Sequence, residues 1–449
     1  MGRLFGTDGA RGIANTELTC ELSMNIGRAA AVVLTEEAHH RAQIIIGKDT
    51  RISSDMLESA LIAGICSVGA DVLVLGVVPT PAVACLVRKY NADAGIMISA
   101  SHNPVEYNGI KIFNGEGYKL SDSLEEKIEA LVLDGDPIQI IKQGRDVGRV
   151  RRSAAAVQDY IGCLVKTVEG DLSGLKIAVD CANGSASATA PALFAALNAE
   201  CDIINSNPDG VNINHGCGST HIAKLAEYVR DNNCDIGVAF DGDADRCLAV
   251  DENGEVLDGD KLIAIYADDL KRKGRLKNNT MVVTVLSNLG FFRFGKQRGI
   301  NVAATKVGDR YVLEEMLANG YVIGGEQSGH VIFLDHATTG DGQLSAIQLL
   351  SILKQSDKRA SVLASIMQAY PQTMVNVKVG PHAKERLAGD AEIQASIRSA
   401  EAELSDDGRV LVRASGTEPL IRVMVEGKDP DNVERIADSL AAVISMKLA

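Results

Sequence analysis

Three aspartates alternate along one short segment of the chain, residues 240–246 (Phe-Asp-Gly-Asp-Ala-Asp-Arg). The apolar run 235–240 immediately before them predicts a buried strand. Carboxylates this close together repel one another unless a cation lies among them, and Mg²⁺ prefers carboxylate and phosphate oxygens as ligands. The pattern therefore predicts a divalent-cation site formed by Asp241, Asp243 and Asp245.

Other interpretations of this segment are weaker. An EF-hand loop would also have aspartates at its positions 1, 3 and 5, with Glu252 at position 12, but Arg246 occupies the position that needs glycine and strands flank the loop. A haloacid-dehalogenase-type phosphatase also begins with Asp-x-Asp after a strand, but Thr or Val is expected in place of Asp245. A solvated acidic turn without a metal is the remaining alternative.

A serine and a histidine stand side by side after a second apolar run, in residues 99–104 (Ser-Ala-Ser-His-Asn-Pro). The run 95–99 predicts a strand that ends in an Asn-Pro turn, so Ser101 lies where backbone N–H groups can stabilise an anion. The Gly-x-Ser-x-Gly elbow of hydrolases is missing, and a serine beside a histidine such as His102 is common by chance. Lys111 is close enough in sequence to act as a cation or a proton carrier.

Two loops combine arginine with glycine, a combination that suits phosphate binding. The loop 7–12 (Thr-Asp-Gly-Ala-Arg-Gly) contains Arg11 between flexible glycines. The loop 413–419 (Arg-Ala-Ser-Gly-Thr-Glu-Pro) is followed closely by a second arginine, and its candidate phosphate-binding residues are Arg413, Ser415, Gly416, Thr417 and Arg422. An ordinary surface loop is the alternative for each of them.

A third glycine-rich loop, 324–330 (Gly-Gly-Glu-Gln-Ser-Gly-His), presents four different polar groups. A carboxylate, an amide, a hydroxyl and an imidazole are groups that hydrogen-bond sugar hydroxyls and assist proton transfer. The candidate residues of this loop are Glu326, Gln327, Ser328 and His330. A purely structural turn is again the alternative.

The composition excludes several classes of function. Among 449 residues, 45 are Lys or Arg and 59 are Asp or Glu, so the net charge is −14, and aromatic residues make up 4% without any Trp. Binding to nucleic acid or to an anionic membrane needs clustered positive charge or stacking aromatics, so we expect neither partner. No apolar signal segment follows Met1, and the nine cysteines form no Cys-x-x-Cys pair. We therefore expect reduced thiols in the cytoplasm.

Short β-branched runs alternate with longer amphipathic runs along most of the chain. Apolar strands at 43–47 and 71–78 flank a predicted helix at 55–68, whose N-cap would be Ser53 or Ser54. Such alternation predicts an α/β fold with mostly parallel sheets covered on both faces.

The alternation restarts after a polar segment, 144–152, that is predicted to be a linker. The tail differs from the rest, because its predicted strands at 375–379, 409–413 and 420–427 indicate a smaller α+β module. We predict three related α/β domains and this module, with the boundaries 1–150, 151–256, 257–370 and 371–449.

Taken together and in this order, these segments resemble those of the α-D-phosphohexomutase family over essentially the whole chain. Three features are similar to the bacterial branch that acts on glucosamine phosphates. The loop 7–12 lies almost at the N-terminus, the segment 214–221 (Asn-His-Gly-Cys-Gly-Ser-Thr-His) matches that branch, and Gln327 stands where relatives acting on mannose and glucose phosphates typically have Met. Three positions depart from the residues common in the family: Ala10, Tyr107 and Ser185.

The resemblance implies four domains around a central cleft and an intramolecular phosphotransfer. Phosphorylated Ser101 would pass its phosphoryl group to glucosamine 6-phosphate, a glucosamine 1,6-bisphosphate intermediate would turn over, and glucosamine 1-phosphate would leave. The resemblance also implies a hexosamine or hexose 1,6-bisphosphate as primer, a role in supplying UDP-N-acetylglucosamine for the cell wall, and a homodimer. One Mg²⁺ per chain would be held by a phosphoserine oxygen of Ser101 together with Asp241, Asp243 and Asp245.

The same resemblance implies roles for residues that match the family's motifs. Arg11 and Lys111 would stabilise charge or carry protons near Ser101, with His102 and His330 as further catalytic groups. The residues that would bind the sugar phosphate are Arg246, Lys306, Gly308, Asp309, Arg310, Glu326, Gln327, Ser328, Arg413, Ser415, Gly416, Thr417 and Arg422.

Two alternatives stay open at this point. A broader mutase for glucose and mannose phosphates would share the fold and the chemistry, and relative rates on the three hexose phosphates separate the two activities. A non-catalytic sensor of sugar phosphates belongs to another class. It is disfavoured because Ser101, all three aspartates and the arginines occur together.

Overall fold

The computed structural model divides into two units. The structure describes residues 3–6, 8–36, 39–135, 141–380, 383–415 and 419–448. The larger unit comprises Met1–Leu286 and Ile300–Ile366, and the C-terminal unit comprises Ser287–Gly299 and Met367–Ala449. Within the described residues, no helix has both the length and the apolar character needed to cross a bilayer.

The first sheet of the larger unit has six strands, and its region of the chain also contains four helices. These are β1 (Ala10–Ile13), α1 (Cys20–Leu34), β2 (Gln43–Lys48), α2 (Ile52–Ser67), β3 (Asp71–Val77), α3 (Thr80–Tyr90), β4 (Ala94–Ile98), β5 (Tyr107–Asn114), α4 (Asp122–Leu133) and β6 (Val150–Arg152). The strand order is β1-β5-β4-β2-β3-β6. Strand β5 pairs antiparallel with both β1 and β4, and the β4–β2, β2–β3 and β3–β6 pairs are parallel. Successive residues Ile44, Ile45 and Ile46 of β2 are all buried, so both faces of this sheet are covered.

Two predictions about this sheet are wrong in part. The second helix begins at Ile52 after Arg51, and neither predicted serine caps it, because Ser54 Oγ donates to Asp49 Oδ1 (2.9 Å) instead. The predicted linker 144–152 ends in a strand, since β6 pairs with β3. The backbone groups of β6 pair with the outer edge of β3, whose N–H and C=O groups would otherwise face solvent.

The second sheet lies in the following part of the chain and contains the aspartate turn. Its elements are α5 (Ala156–Val165), β7 (Lys176–Asp180), α6 (Ala190–Ala196), β8 (Glu200–Ile204), α7 (Ala223–Asp231), β9 (Ile236–Phe240), β10 (Cys247–Asp251) and β11 (Val256–Leu257). The order is β11-β10-β9-β7-β8, with β9, β7 and β8 parallel and with β10 antiparallel to β9 and β11. The turn between β9 and β10 is formed by residues 241–246, so a buried antiparallel pair presents the aspartates.

The third sheet positions the glycine-rich loop 324–330. Its region of the chain contains α8 (Gly259–Arg272), β12 (Thr280–Thr284), α9 (Leu289–Arg298), β13 (Asn301–Thr305), α10 (Asp309–Asn319), β14 (Ile323–Gly325), β15 (Val331–Phe333), α11 (Gly342–Ser356) and α12 (Ala360–Ala364). The order is β13-β12-β14-β15, in which only the β14–β15 pair is antiparallel. Residues 326–330 form the turn of that pair, and α9 belongs to the C-terminal unit.

The C-terminal unit contains a small antiparallel sheet. Its remaining elements are β16 (Gln372–Lys378), α13 (Ala383–Gly389), α14 (Ala391–Leu404), β17 (Gly408–Ala414), β18 (Leu420–Gly427) and α15 (Pro430–Leu448). The order is β16-β18-β17, and buried apolar residues of the sheet pack with those of α14 and α15 in one core. Three sheets with their intervening helices, followed by this smaller module, confirm the predicted α/β fold class. Short 3₁₀ turns lie at Gly144–Asp146, Ser185–Ala188, Ser219–His221, Lys277–Asn279 and Ser405–Asp407.

Candidate active site

Ser101 lies just beyond the carboxyl end of β4 and contacts the second sheet. Its side chain is buried, and its backbone φ of +53° falls in the left-handed region, which costs a residue with a Cβ roughly 1–3 kcal/mol. Ser101 Oγ donates to Asp241 Oδ2 at 2.6 Å and lies 3.3 Å from His102 Nδ1. Strain of this kind persists only where surrounding contacts enforce it, so the structure holds this hydroxyl in one place.

The three aspartates of the β9–β10 turn converge. One carboxylate oxygen from each of Asp241, Asp243 and Asp245 lies within 4.8 Å of the other two, and all three side chains are buried. Among the described residues, Asp243 Oδ1 and Asp245 Oδ1 are buried without a hydrogen-bond partner. Buried carboxylate oxygens without a partner are unfavourable unless a cation binds them. This set of hard oxygen donors therefore fits a Mg²⁺ ion.

Burial and neighbouring charges shift the pKa values of Asp241 and Asp245 in opposite directions. Burial, together with the charges of Asp245 and Asp243, raises the pKa of Asp241 to about 8. Burial alone would also raise the pKa of Asp245, but the nearby Lys111 and His330 lower it below its ordinary value. A divalent cation among the carboxylates would remove the repulsion that favours a proton on Asp241.

Lys111 is a buried cation in contact with the aspartate turn. It lies on β5, and its Nζ is 2.8 Å from Asp243 Oδ2, 3.5 Å from Asp245 Oδ2 and 3.0 Å from Asp8 Oδ2. Burial alone would lower the pKa of this amine, but the three carboxylates raise it above its ordinary value. Lys111 therefore stays protonated, so it can stabilise negative charge but cannot accept a proton.

Arg11 is brought beside the serine loop by the pairing of β1 with β5. It stands opposite Gly109 in that register and forms an ion pair with Asp8. A Cβ on Gly109 would lie 2.5 Å from Ser99 O and 3.1 Å from Arg11 Cγ. A residue without a side chain is therefore needed at this position for the arginine to pass so close to the loop.

His102 and Arg246 meet next to the serine. His102 Nδ1 is 3.2 Å from Arg246 Nη1, and this arginine is the last residue of the aspartate turn. Burial and the charges of Arg246 and Arg11 lower the pKa of His102 to about 4. The imidazole is therefore neutral at neutral pH and retains a nitrogen lone pair within reach of Ser101 Oγ.

Lys119 connects two loops of the larger unit, and no sequence motif marks it. Its Nζ is 2.6 Å from Asp8 Oδ1 and 2.5 Å from Asp309 Oδ2, a partner 190 positions away. Asp309 Oδ2 lies 3.4 Å from His330 Nε2, and His330 Nδ1 lies 3.6 Å from Asp245 Oδ2. The two aspartates raise the pKa of His330, although burial alone would lower it. A chain of charged groups thus reaches from the loop of Asp8 to the aspartate turn.

The residues predicted to bind the sugar lie in and around the β14–β15 turn. Glu326 Oε1 accepts from Gly308 N at 3.1 Å, and burial raises the pKa of Glu326. Gln327 Nε2 donates to Asp258 Oδ2 at 3.1 Å. Ser328 Oγ is buried and, within the described part of the chain, has no hydrogen-bond partner. This oxygen is a polar group available to a ligand.

The two cations predicted in this region have different surroundings. Lys306 Nζ lies 5.9 Å from the centre of the Tyr311 ring, as in a weak cation–π contact. Arg310 pairs with Asp122 at the start of α4 and donates to Leu120 O at 3.0 Å. Arg310 is therefore already engaged by the first α/β domain.

The predicted phosphate-binding arginines belong to the C-terminal unit. Arg413 of β17 stands directly opposite Arg422 of β18, and Ser415 is buried just beyond β17. Burial and the neighbouring Arg422 charge lower the pKa of Arg413. Like charges placed opposite each other repel, so this pair favours an anion beside it. Gly416 and Thr417, predicted in the same loop, lie outside the described residues.

Comparison with protein families gives four consecutive matches. Residues 2–138, 158–254 and 258–370 match the α/β/α domains I, II and III of phosphoglucomutase/phosphomannomutase. Residues 374–443 match the C-terminal domain of the same family. The matches extend over most of the chain in the order that the family description gives.

Individual relatives agree with these matches. The phosphoglucosamine mutase of Acetivibrio thermocellus is 56% identical over 448 residues, which is 100% of both chains. A phosphoglucomutase/phosphomannomutase family protein from Burkholderia thailandensis has a TM-score of 0.83 at 24% identity, covering 99% of this chain and 98% of that one. The N-acetylphosphoglucosamine mutase of Aspergillus fumigatus, solved with GlcNAc-6P and magnesium, has a TM-score of 0.70 at 17% identity, covering 99% and 95%. At these identities the two structures demonstrate a common fold.

Proposed function

The chain belongs to the phosphoglucomutase/phosphomannomutase family, the α-D-phosphohexomutases, and we propose that it interconverts glucosamine 6-phosphate and glucosamine 1-phosphate. The relative that is 56% identical over its full length is a phosphoglucosamine mutase. The observation that carries the proposal is the contact of Ser101 Oγ with Asp241 Oδ2, which sets a nucleophilic hydroxyl against a carboxylate cluster suited to a cation.

We assign one Mg²⁺ per chain to Asp241, Asp243 and Asp245, with an oxygen of phosphorylated Ser101 as a further ligand. When bound, the ion supplies positive charge that offsets the charge of the transferring phosphoryl group. The orphaned oxygens of Asp243 and Asp245 support this assignment. Lys111, which stays protonated, adds a fixed positive charge to the same region.

The first half-reaction starts from phosphorylated Ser101. The bond between Ser101 Oγ and phosphorus breaks, and a bond forms between phosphorus and O1 of glucosamine 6-phosphate. The proton of the O1 hydroxyl moves to Ser101 Oγ, and the neutral imidazole of His102, 3.3 Å from that oxygen, is placed to relay it. Negative charge on the phosphoserine raises the proton affinity of this ring above its value beside a free hydroxyl. Arg11 and Arg246 stabilise the phosphoryl oxygens.

The second half-reaction returns the 6-phosphate to the serine. After the glucosamine 1,6-bisphosphate has turned over, Ser101 Oγ attacks the phosphorus at O6 and the O6–phosphorus bond breaks. The Ser101 hydroxyl proton moves to O6, and glucosamine 1-phosphate leaves with a free O6 hydroxyl. Glucosamine 1,6-bisphosphate or glucose 1,6-bisphosphate from solution can phosphorylate Ser101, and so prime the enzyme, by the same step. In the C-terminal unit we assign phosphate binding to Arg413, Ser415, Gly416, Thr417 and Arg422, and the opposed arginines support this role.

Recognition of the sugar is assigned to the β14–β15 turn and the segment before α10. The buried Ser328 hydroxyl and the Glu326 carboxylate suit sugar hydroxyl or amino groups. The other proposed contacts in this region are Lys306, Gly308, Asp309, Arg310, Gln327 and, for proton transfer, His330. Of these residues, Gln327 is the proposed determinant of preference among hexose phosphates.

A coupled assay of mutase activity tests the function. Glucosamine 6-phosphate, glucose 1-phosphate and mannose 1-phosphate are compared at equal concentration with Mg²⁺ and a trace of glucose 1,6-bisphosphate. We expect kcat/KM to favour glucosamine 6-phosphate by at least about tenfold, because a site that pairs with a substrate amine discriminates against analogues without it. Gln327→Met should narrow this ratio, whereas Gln355→Met on α11 should leave it unchanged.

Either of two other results would replace the proposal. Comparable rates on all three sugars would indicate a general hexose phosphomutase with the same fold and chemistry. Binding of sugar phosphates without turnover, by protein whose Ser101 is shown by mass spectrometry to be phosphorylated, would indicate a sensor.

The proposed reaction supplies glucosamine 1-phosphate, a precursor of UDP-N-acetylglucosamine for cell-wall synthesis. We propose that the protein acts in the cytoplasm. The nine cysteines are all free thiols, as is common in proteins of a reducing compartment.

A further inference from the structure

Two side chains from outside the serine loop donate hydrogen bonds to its backbone carbonyl groups. Arg51 Nη2 donates to Ser101 O at 3.0 Å and to Asn103 O at 2.8 Å, and Arg51 Nη1 donates to Pro104 O at 2.5 Å. Asn214 Nδ2 donates to the same first two oxygens, at 2.9 Å and 3.3 Å. Both side chains are buried, so these bonds form away from competing water.

Both peptide groups that flank Ser101 are held in this way. Ser101 N donates to Ser99 Oγ at 2.9 Å, and Ser99 Oγ donates to Asp49 Oδ2 at 2.6 Å. Asp49 also accepts from N and Nε of Arg51, at 3.0 Å and 2.9 Å. One buried carboxylate therefore organises the N–H side of Ser101 through Ser99 and the carbonyl side through Arg51. Because the two flanking peptide planes set φ and ψ, they also set the direction in which the Ser101 side chain leaves the backbone.

Asn214 adds a contribution from the second α/β domain. It is the first residue of the segment 214–221, which the mechanism leaves without a role, and its N donates to Ala182 O at 2.9 Å. A Cβ on Gly242 would lie 2.6 Å from Ser101 O and 2.9 Å from Asn214 Nδ2. The aspartate turn thus packs against the same carbonyl group that Asn214 and Arg51 hold.

We propose that Arg51 and Asn214 are positioning residues, which hold Ser101 in its left-handed conformation and thereby aim Ser101 Oγ at Asp241. The inference rests on the proposed phosphotransfer function. Neither residue touches the sugar or the transferring group in this scheme, and each acts through the carbonyl of Ser101. Without these hydrogen bonds the backbone of Ser101 would relax toward a negative φ, because the left-handed conformation is unfavourable for a residue with a Cβ. The direction of the hydroxyl would change with it.

Two conservative variants test this role. Arg51→Lys keeps the positive charge but loses the planar fork that reaches three carbonyl oxygens at once. Asn214→Asp keeps the shape of the side chain and tolerates the φ of +58° at this position, but it replaces the donor with an acceptor. We expect kcat to fall by about 100-fold in each variant while KM for glucosamine 6-phosphate changes by less than about twofold. His215→Ala, an exposed neighbour in the same segment, is the matched control and should retain the parental kcat.

A second measurement isolates the step at the serine. Unphosphorylated protein is mixed with glucose 1,6-bisphosphate and Mg²⁺, and the single-turnover phosphorylation of Ser101 is followed by intact mass. Its rate should fall in the same proportion as kcat, while the stabilisation of the protein by Mg²⁺ stays at the parental value. If Asn214→Asp does not fold, Asn214→Gly provides the same loss of the donor with a backbone free to adopt this φ.

The outcomes separate this inference from the proposed function. Parental kcat and parental phosphorylation rates in folded variants would overturn the positioning role, and so would a lowered melting temperature without any kinetic change. A parental chain without mutase activity would overturn the proposed function alone. In that case the phosphorylation rate of Ser101 still decides whether Arg51 and Asn214 position the hydroxyl.

Discussion

Ser101 and Asp241 share a 2.6 Å hydrogen bond, in which the serine hydroxyl donates to Oδ2 of the carboxylate. Ser101 follows β4 of the first sheet, and Asp241 follows β9 of the second sheet, 140 positions later. Every residue of these two strands is buried, so two rigid elements set the distance between the groups. A nucleophile and an acidic cluster held by such elements need little reorganisation as charge develops during a reaction.

Replacing Ser101 with alanine removes the hydroxyl that we propose carries the phosphoryl group. We expect kcat to fall by at least about 10⁴-fold, since no other group substitutes for a lost nucleophile. Stability should change by about 1 kcal/mol or less, because only one hydrogen bond is lost. The coupled assay and a thermal melt measure the two effects, with Ser123→Ala on the exposed face of α4 as control. Turnover above background in the pure Ser101→Ala protein would contradict the mechanism.

Mg²⁺ should stabilise the folded protein by binding to the aspartate turn. At a concentration 100 times its dissociation constant, a ligand specific for the folded state adds about 2.7 kcal/mol to the free energy of unfolding. We therefore expect the melting temperature to rise with Mg²⁺ and to return to its initial value on addition of EDTA. Asp243→Asn should abolish the rise, and Asp231→Asn at the end of α7 should preserve it. An equal rise in both variants would place the stabilising ion elsewhere.

Lys119 should contribute to stability in a pH-dependent manner. Lys119→Met leaves the carboxylates of Asp8 and Asp309 without the cation between them, which we expect to cost about 3 kcal/mol at neutral pH. Burial alone would raise the pKa of Asp8, but Lys111, Lys119 and Arg11 lower it well below its ordinary value. A depressed carboxyl pKa stabilises the fold above the unfolded pKa and loses this effect as the pH falls.

The difference in melting temperature between parent and Lys119→Met should therefore be present in full from neutral pH down to about pH 4, the ordinary pKa of an aspartate, and should shrink as the pH falls below that value. Lys127→Met on the exposed face of α4 controls for loss of a lysine as such. Equal melting temperatures of Lys119→Met and parent at pH 7 would show that the two aspartates do not need this cation.

Cys163 of α5 should react as a thiolate at neutral pH. Interaction with the neighbouring Cys85 thiol lowers the pKa of Cys163 to about 6 and raises the pKa of Cys85, and both residues line a cavity of about 310 Å³. Alkylation of Cys163 by iodoacetamide should then rise through a midpoint near pH 6. Cys85→Ala removes the neighbouring thiol, so the pKa of Cys163 should return upward and its alkylation at pH 7 should slow by about tenfold.

Peptide mapping by mass spectrometry measures the alkylation of each cysteine, and Cys20→Ala on α1 serves as the control substitution. The same midpoint in the parent and in Cys85→Ala would show that the two thiols titrate independently.

Local patterns predicted many elements closely and failed at others for an identifiable reason. The strand predicted at 420–427 is β18 with the same bounds, and the strand predicted at 43–47 is one residue longer. No apolar pattern predicts β5, because Asn108 and Lys111 interrupt its run of apolar residues. Both are nevertheless buried, since Asn108 bonds to residues of α2 and Lys111 bonds to the aspartate turn. Polar residues that serve a site override the pattern of a core strand.

The residues of the candidate site also differ in whether a local sequence pattern marks them. The alternation of carboxylates in residues 241–246 predicts a cation site, because this pattern is a property of neighbours in the chain. No sequence pattern marks Lys119 or Arg51, because their significance lies in distant partners such as Asp309 and Pro104 that no short motif contains. The missing information is the packing of one sheet against another.

The amino-acid sequence by itself determined the kinds of chemistry available to this protein: a hydroxyl after one strand, three carboxylates after another, and arginines in glycine-rich loops. It also determined the α/β character of three domains, because apolar periodicity and turn residues act over a few positions. Only the tertiary structure decided which groups meet. Ser101 reaches Asp241 and Lys119 reaches Asp309 because buried sheets bring together segments separated by 140 and 190 positions, and no local pattern encodes such distances.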